Sequence, residues 1–253
     1  MKNKGRKTEV GVSLSRVLSK WGIASRTIAT QWIKDGRVQV DGKVEKNPER
    51  RMRMGGLEPR RILIDGKPIA QNAWRAVLLH KPRGVVTTRS DERGRKTVYD
   101  VLSVEEHLAC VGRLDLATSG LLIFTNDTQF AAWILEPENK VPREYVVVVR
   151  GDVQAQTIEA LLRGVRIDGE VHQATRIEIQ KNSRVETRLL VELCEGKNRE
   201  IRNMFKSFGH EVTKLKRISF GGLLLGDLEP GKWRELSQIE LKRAFPKAPL
   251  RKT

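Results

Sequence analysis

The chain has 253 residues, of which 39% are hydrophobic and 31% charged, and its formal net charge is +17. Such an excess of basic charge points to a polyanionic partner; no run approaches the roughly 18 apolar residues of a membrane span, and no apolar stretch follows the basic start MKNKGRKTEV, so nucleic acid is expected rather than lipid. Two cysteines (Cys110, Cys194) are too few for a disulfide framework, and the histidines at 80, 107, 172 and 210 form no ligand pair, so a cytoplasmic protein without metal or cofactor is expected.

The basic charge is concentrated at the start: residues 1–75 hold 18 Lys/Arg against 7 Asp/Glu. Leu14, Val17, Leu18 and Trp21 recur at helical spacing, and Gly22 closes that helix. Ser25 is placed to cap a second helix whose buried side is Ile28, Trp32 and Ile33, with Gly36 as its stop. Val38, Val40 and Val44 then alternate around Asp41-Gly42, a hairpin-turn signal, and the same grammar recurs at Ile62, Ile64 and Asp65-Gly66. Between the two lies NPERRMRMGGLEPRR, which lacks periodicity and reads as a basic loop. Arg16, Lys20, Arg26, Lys34 and Arg37 fall on polar positions, and no acid occurs between Ser13 and Lys34. A solvated face normally intersperses both signs, so this one is expected to bind phosphates. The order SLSRVLSKWGIASRTIATQWIKDGRVQVDGKV resembles the S4 domain, a small RNA-binding module; Thr27 departs from it where a second Arg usually follows the first.

Residues 71–75 read as a linker between a module at 1–70 and a second domain at 76–253. Val77-Leu78-Leu79 opens a strand into the basic turn Lys81-Pro82-Arg83-Gly84, with Val85 and Val86 continuing it. A charged loop and a short helix with Val98, Val101 and Leu102 inward come next, then a strand at Leu108–Val111. VGRLDLATSGLLIFTND follows, in which Asp115 lies in a polar turn before the buried strand Leu121–Thr125. The commoner role of one Asp in a turn is to cap it; the alternative is a rigidly placed acid. Beyond it the pattern gives a helix at Thr128–Leu135 and a β-branched strand at Val146–Val149. A helix at Thr157–Leu162 follows, then strands at Arg176–Gln180 and Glu186–Glu192, a helix at Asn198–Phe208 and a strand at Val212–Ile218. The last helix would carry Met204, Phe205 and Phe208 inward, with Lys197, Arg199 and Arg202 forming a cationic cluster suited to an anion. The predicted fold is α+β: a small α/β module followed by a mostly antiparallel sheet with a few helices.

HKPRGVVTT, VGRLDLATSGLLIFTND, VPREYVVVV and CEGKNREIRNMF are similar to successive motifs of the pseudouridine synthase family, in the branch whose members act on the RNA of the small or the large ribosomal subunit. The resemblance implies Asp115 as nucleophile, Tyr145 as the ring stacking on the target base, Arg202 as the cation paired with the aspartate and Arg113 as an RNA-holding arginine. Lys81, Arg83, Lys197 and Arg199 are expected to add RNA contacts. Asn203 stands where the family often has Arg. The implied reaction isomerises uridine, breaking and making one glycosidic bond with no net transfer, so no cofactor is called for. A carboxylate suits either attack on the ribose or base, or movement of a proton, and a nearby Arg keeps it ionised. The expected substrate is ribosomal RNA, free or in an assembly precursor, acted on by a monomer. Asn-Arg-Glu-Ile-Arg favours the large-subunit 23S RNA over the small-subunit 16S. A non-catalytic ribosome-assembly factor is the alternative, set against by the presence of Asp115, Tyr145 and Arg202; a carboxylate hydrolase lacks a second acid.

Overall fold

The computed structural model describes residues 11–52, 61–69, 72–104 and 107–251. Strand β1 (Val12–Ser13) leads directly into α1 (Leu14–Lys20), and Ser25 caps α2 (Arg26–Lys34) by accepting from the Ile28 N–H at 3.2 Å. Strands β2 (Val38–Val40), β3 (Lys43–Val44), β4 (Arg51–Met52), β5 (Ile62–Ile64) and β6 (Lys67–Pro68) complete this part. Four of them form the antiparallel sheet β3-β2-β5-β6. Asp41-Gly42 and Asp65-Gly66 both adopt left-handed backbone, as the two-residue hairpins require. Leu14, Val17, Leu18, Ala29, Ile33, Val38 and Ile62 close a small core.

Three sequence expectations change here. Ala29 and Ile33 are the buried residues of α2, while Ile28 and Trp32 are half-buried. Val44 is 55% exposed, because β3 is an edge strand. The basic insertion is not all loop: β4 pairs with β1, Val12 opposite Met52. Its residues 53–60 lie outside the described residues, as do 70 and 71, where the expected linker begins.

Then come β7 (Ala76–Lys81), α3 (Val98–Leu102), β8 (Ala109–Val111), β9 (Ser119–Thr125) and α4 (Thr128–Leu135). They are followed by β10 (Arg143–Arg150), α5 (Ala155–Arg163) and a hairpin of β11 (Val165–Ile167) and β12 (Glu170–His172). Next are β13 (Arg176–Asn182), β14 (Glu186–Leu193), α6 (Glu200–Lys206) and β15 (Val212–Phe220). The chain closes with β16 (Leu223–Leu224), β17 (Trp233–Glu235) and α7 (Gln238–Ala244). The large sheet runs β13-β14-β10-β15-β9-β7-β17, with β16 beside β15 and β8 beside β9. Among its described strands every pairing is antiparallel except β9 with β15. Alternation along the strands fills both faces. Val77, Leu79, Leu122, Phe124, Val147 and Val191 meet Met204 and Phe205 of α6 on one. Leu78, Leu121, Ile123 and Phe220 meet Phe130 of α4 and Leu241 of α7 on the other.

Val85 and Val86 do not continue β7: after the Pro82–Gly84 turn, Val86 makes only an isolated bridge to Thr97. Phe208 is 37% exposed because α6 stops at Lys206, short of the expected end. The hairpin β11–β12 and the elements after β15 were not predicted.

Candidate active site

Asp115 sits in the turn between β8 and β9, and the backbone of that turn is tied on several sides. Thr87 Oγ donates to the Leu114 carbonyl at 2.6 Å, the Gly84 N–H to Leu116 at 2.8 Å and the Thr118 N–H to Asp115 at 3.0 Å. Beneath it lies the Lys81 ammonium, donating to the carbonyls of Thr118 (2.8 Å), Asp115 (3.1 Å) and Pro82 (3.1 Å). Burial pushes the Lys81 ammonium down to about 8, while the charge of Asp115 pulls the other way. Lys81 is fully buried, so the expectation that it contacts RNA is corrected: it pins the turn from inside. The carboxylate above is therefore held on a rigid frame with partial access to solvent.

The nearest cation to that carboxylate is Arg199, whose Nη1 stands 3.6 Å from Asp115 Oδ2. Arg199 caps α6 from left-handed backbone (φ 52°), sparsely populated for a residue with a side chain. Arg202, expected in this pairing, instead donates Nη1 to the Val212 carbonyl at 2.8 Å and Nη2 to the Ala117 carbonyl at 3.3 Å. It ties the Asp115 turn to β15 and acts on the carboxylate only as a neighbouring charge. Burial lowers its pKa, Arg199 adds to that, and Asp115 opposes it. One turn of helix separates the two arginines, so the sequence brought the cluster to the right place and the backbone chose which member faces the acid.

Asp115, Arg113, Tyr145 and Arg199 line one cavity of about 310 Å³, together with Leu215 and Arg217. Tyr145 enters from β10 and is nearly buried, its ring offered to the cavity. Glu200, the first residue of α6, lies in the wall and is buried; its carboxylate accepts from the Lys197 N–H at 3.1 Å. A second, wider hollow of about 600 Å³ opens on the other side of Asp115 along residues 86–95, and shares Arg113 and Arg199 with the first. Arg93 and Arg95 stand in its wall, Arg95 held by Asp91 at 2.7 Å.

The other expected RNA contacts divide. Arg83 and Arg113 are exposed; Arg113 lines both cavities, whereas Arg83 lines neither. Lys197 is drawn into an ion pair with Glu195 at 2.6 Å and a bond to the Val171 carbonyl, which fastens the α6 approach to the β11–β12 hairpin. Outside the cavity lining, Arg16, Arg26 and Lys34 are exposed on α1 and α2, and Lys20 is half-exposed. Arg37 pairs with Asp65 at 2.5 Å and lies 5.2 Å from the Trp32 ring. Among the described residues no cluster of three His, Cys, Asp or Glu side chains could hold a metal, and no helix is long and apolar enough to cross a membrane.

Arg143, Glu200 and Arg217 escaped the sequence-based expectations. The available signal was an arginine at an inward position of a β strand, as in KLKRIS, where the alternation calls for an apolar residue.

A family model described as RNA pseudouridylate synthase matches residues 75–207, and an S4 domain model matches residues 12–56. An uncharacterized RNA pseudouridine synthase of Aquifex aeolicus is 36% identical over 243 residues, spanning 92% of this chain and 94% of that protein. Ribosomal large subunit pseudouridine synthase B of Bacillus subtilis is 36% identical over 233 residues, spanning 91% and 94%. A crystal structure of a pseudouridylate synthase superposes with a TM-score of 0.65 over 92% of this chain and 99% of its own, at 24% identity, a likeness of fold.

Proposed function

The chain belongs to the RNA pseudouridylate synthase family, and on that premise we propose that it converts one uridine of large-subunit ribosomal RNA to pseudouridine, with Asp115 as nucleophile. The observation that carries this is the convergence of a rigidly framed carboxylate, a nearly buried tyrosine and an arginine 3.6 Å from the acid on one cavity. A uridine flipped from its helix would stack on Tyr145 and present its sugar to Asp115. Arg199 stands 3.6 Å from the carboxylate as its ion-pair partner and holds it at the cavity wall. The isomerisation gains and loses no electrons and no groups, and its demands are met by positioning and charge. Relatives named for the large subunit in Bacillus subtilis and Pseudomonas aeruginosa, each 36% identical, support 23S over 16S RNA as the substrate. In this reading residues 1–70 grip RNA, 71–75 connect, and 76–253 carry out the chemistry in the cytoplasm as a monomer.

The test is a pseudouridine map of 16S and 23S RNA from cells lacking the gene, complemented with the wild-type or the Asp115→Asn chain. One 23S position should lose its pseudouridine and regain it only with the wild type, while the variant protein still binds RNA. Restoration by Asp115→Asn would remove the nucleophile assignment; a lost site in 16S RNA would remove the assignment to 23S RNA.

A further inference from the structure

Two arginines flank the ring of Phe220 at the back of the cavity: Arg143 at 4.7 Å and Arg217 at 4.9 Å. They are both buried, yet their hydrogen bonds differ. Arg143 spends its guanidinium on backbone, donating to the carbonyls of Val141, Cys194 and Ile134. Arg217 makes one protein hydrogen bond among the described residues, from Nε to the Leu121 carbonyl at 2.8 Å. Its Nη2 is buried without a partner, and the residue is 3% exposed. That single bond and the Phe220 ring fix the plane of the fork, and Arg217 shares the cavity wall with Asp115 and Tyr145. Tyr145 is its register partner across β10 and β15.

A buried guanidinium has donors only, cannot lose its proton, and is costly when unpaired. Its place in the wall it shares with Asp115 calls for an acceptor brought by the substrate. Resting on the assignment above, we propose that Arg217 hydrogen-bonds a carbonyl oxygen of the flipped uracil and holds the base while it is detached from the sugar. When the N1–C1′ bond breaks, its electron pair leaves with the base and spreads onto O2 and O4. Arg217 faces that charge and stays protonated throughout. Asp115 bonds C1′ as N1 departs; the base then turns, C5 attacks C1′ and displaces the carboxylate, and the proton lost from C5 is matched by one gained at N1, so the atoms balance with no other reactant. The same fork discriminates at the pyrimidine's C4 edge when it meets O4, because cytosine places a donor amine there.

The experiment compares single-turnover rates of N1–C1′ cleavage, read as loss of the N-linked target nucleoside, for the full chain and its Arg217→Gln variant on a 23S transcript whose target carries uridine or 5-fluorouridine, which has no C5 proton to release. Fluorine stabilises the departing base on its own, so that substrate depends less on the arginine. Arg217→Gln should slow uridine turnover about a hundredfold, and the fluorouridine-to-uridine rate ratio should rise about tenfold over wild type. Arg217→Lys keeps the charge by Phe220 but loses the fork; it should shift the ratio in the same direction, and it serves if the glutamine variant does not fold. Equal slowing of both substrates would reduce Arg217 to a packing residue and overturn the proposal, as would unchanged rates. If the wild-type chain makes no pseudouridine in that transcript, the functional assignment itself fails, a result separable from either behaviour of the variants.

Discussion

Lys81 is the residue on which the geometry of the acid most depends, because three carbonyls of the surrounding turns accept from one buried ammonium. Replacing it with methionine keeps the volume and removes all three donors, leaving buried carbonyls unsatisfied. Lys81→Met should therefore lose about 3 kcal/mol of stability, read as the shift in urea unfolding, and turnover should fall because the Asp115 turn loosens. A variant as stable as wild type would show that the turn is held by other bonds. In the sequence, HKPRG looks like an exposed basic turn, because charge is legible there and direction is not. Lys81 is the last residue of a strand buried along its whole length, and only the strand's register turns its side chain inward. Asp115 and Tyr145 were expected from the resemblance of their motifs, and both line the cavity. Which arginine meets Asp115 depends on a left-handed residue at position 199 that no spacing reveals.

At the scale of elements, the long strands could be read from their apolar runs, and α4 was predicted at its observed limits, Thr128–Leu135. The hairpin β11–β12 was missed although Asp168-Gly169 carries the same left-handed turn signal as Asp41-Gly42, because its strands are only three residues long and largely exposed. Yet that hairpin buttresses the start of α6. His172 of β12 places Nδ1 3.6 Å from Glu200 Oε1, both buried, and Lys197 reaches the Val171 carbonyl. Burial raises the Glu200 carboxyl above its ordinary 4.5, against the opposing bond from the Lys197 N–H. The folded chain thus holds this proton to a higher pH than the unfolded chain, and stability contributed by the protonated form is lost as pH climbs through the raised value. The neighbouring Lys197 and His172 oppose that rise. Glu200→Gln carries no charge to bury, so its gain in melting temperature over wild type should be larger near pH 8 than near pH 5. A gain independent of pH would mean that Glu200 is neutral throughout or freely solvated.

Over the whole molecule, the two cationic regions lie on separate elements: Arg16, Arg26 and Lys34 on α1 and α2, and Arg113 and Arg199 around the cavity. The junction between these parts is pinned by hydrogen bonds. Asn72 donates to the Gly22 carbonyl at 2.8 Å, Asn126 to Ala73 at 2.7 Å, and Arg251 to Asn72 at 2.7 Å. If the first helices hold RNA phosphates, substituting Arg16, Arg26 and Lys34 together by alanine should make the log–log salt dependence of RNA binding shallower by about two, with single-turnover chemistry at saturating RNA unchanged. An unaltered slope would place the grip elsewhere. Parallel pairing joins the sheet at one place, where Ser119 and Gly120 of β9 meet Lys216 and Arg217 of β15. A Cβ on Gly120 would stand 2.1 Å from the Arg217 carbonyl oxygen, so only glycine admits the approach. Arg217 and Leu121, bonded at this seam, are 96 residues apart in the chain, and contacts of such span form late in folding. A chain emerging from the ribosome therefore releases the residues of the Asp115 turn well before the strand that carries Arg217. Until that seam closes, the cavity lacks the wall that β15 supplies, so the site is complete only once the last long strand has docked.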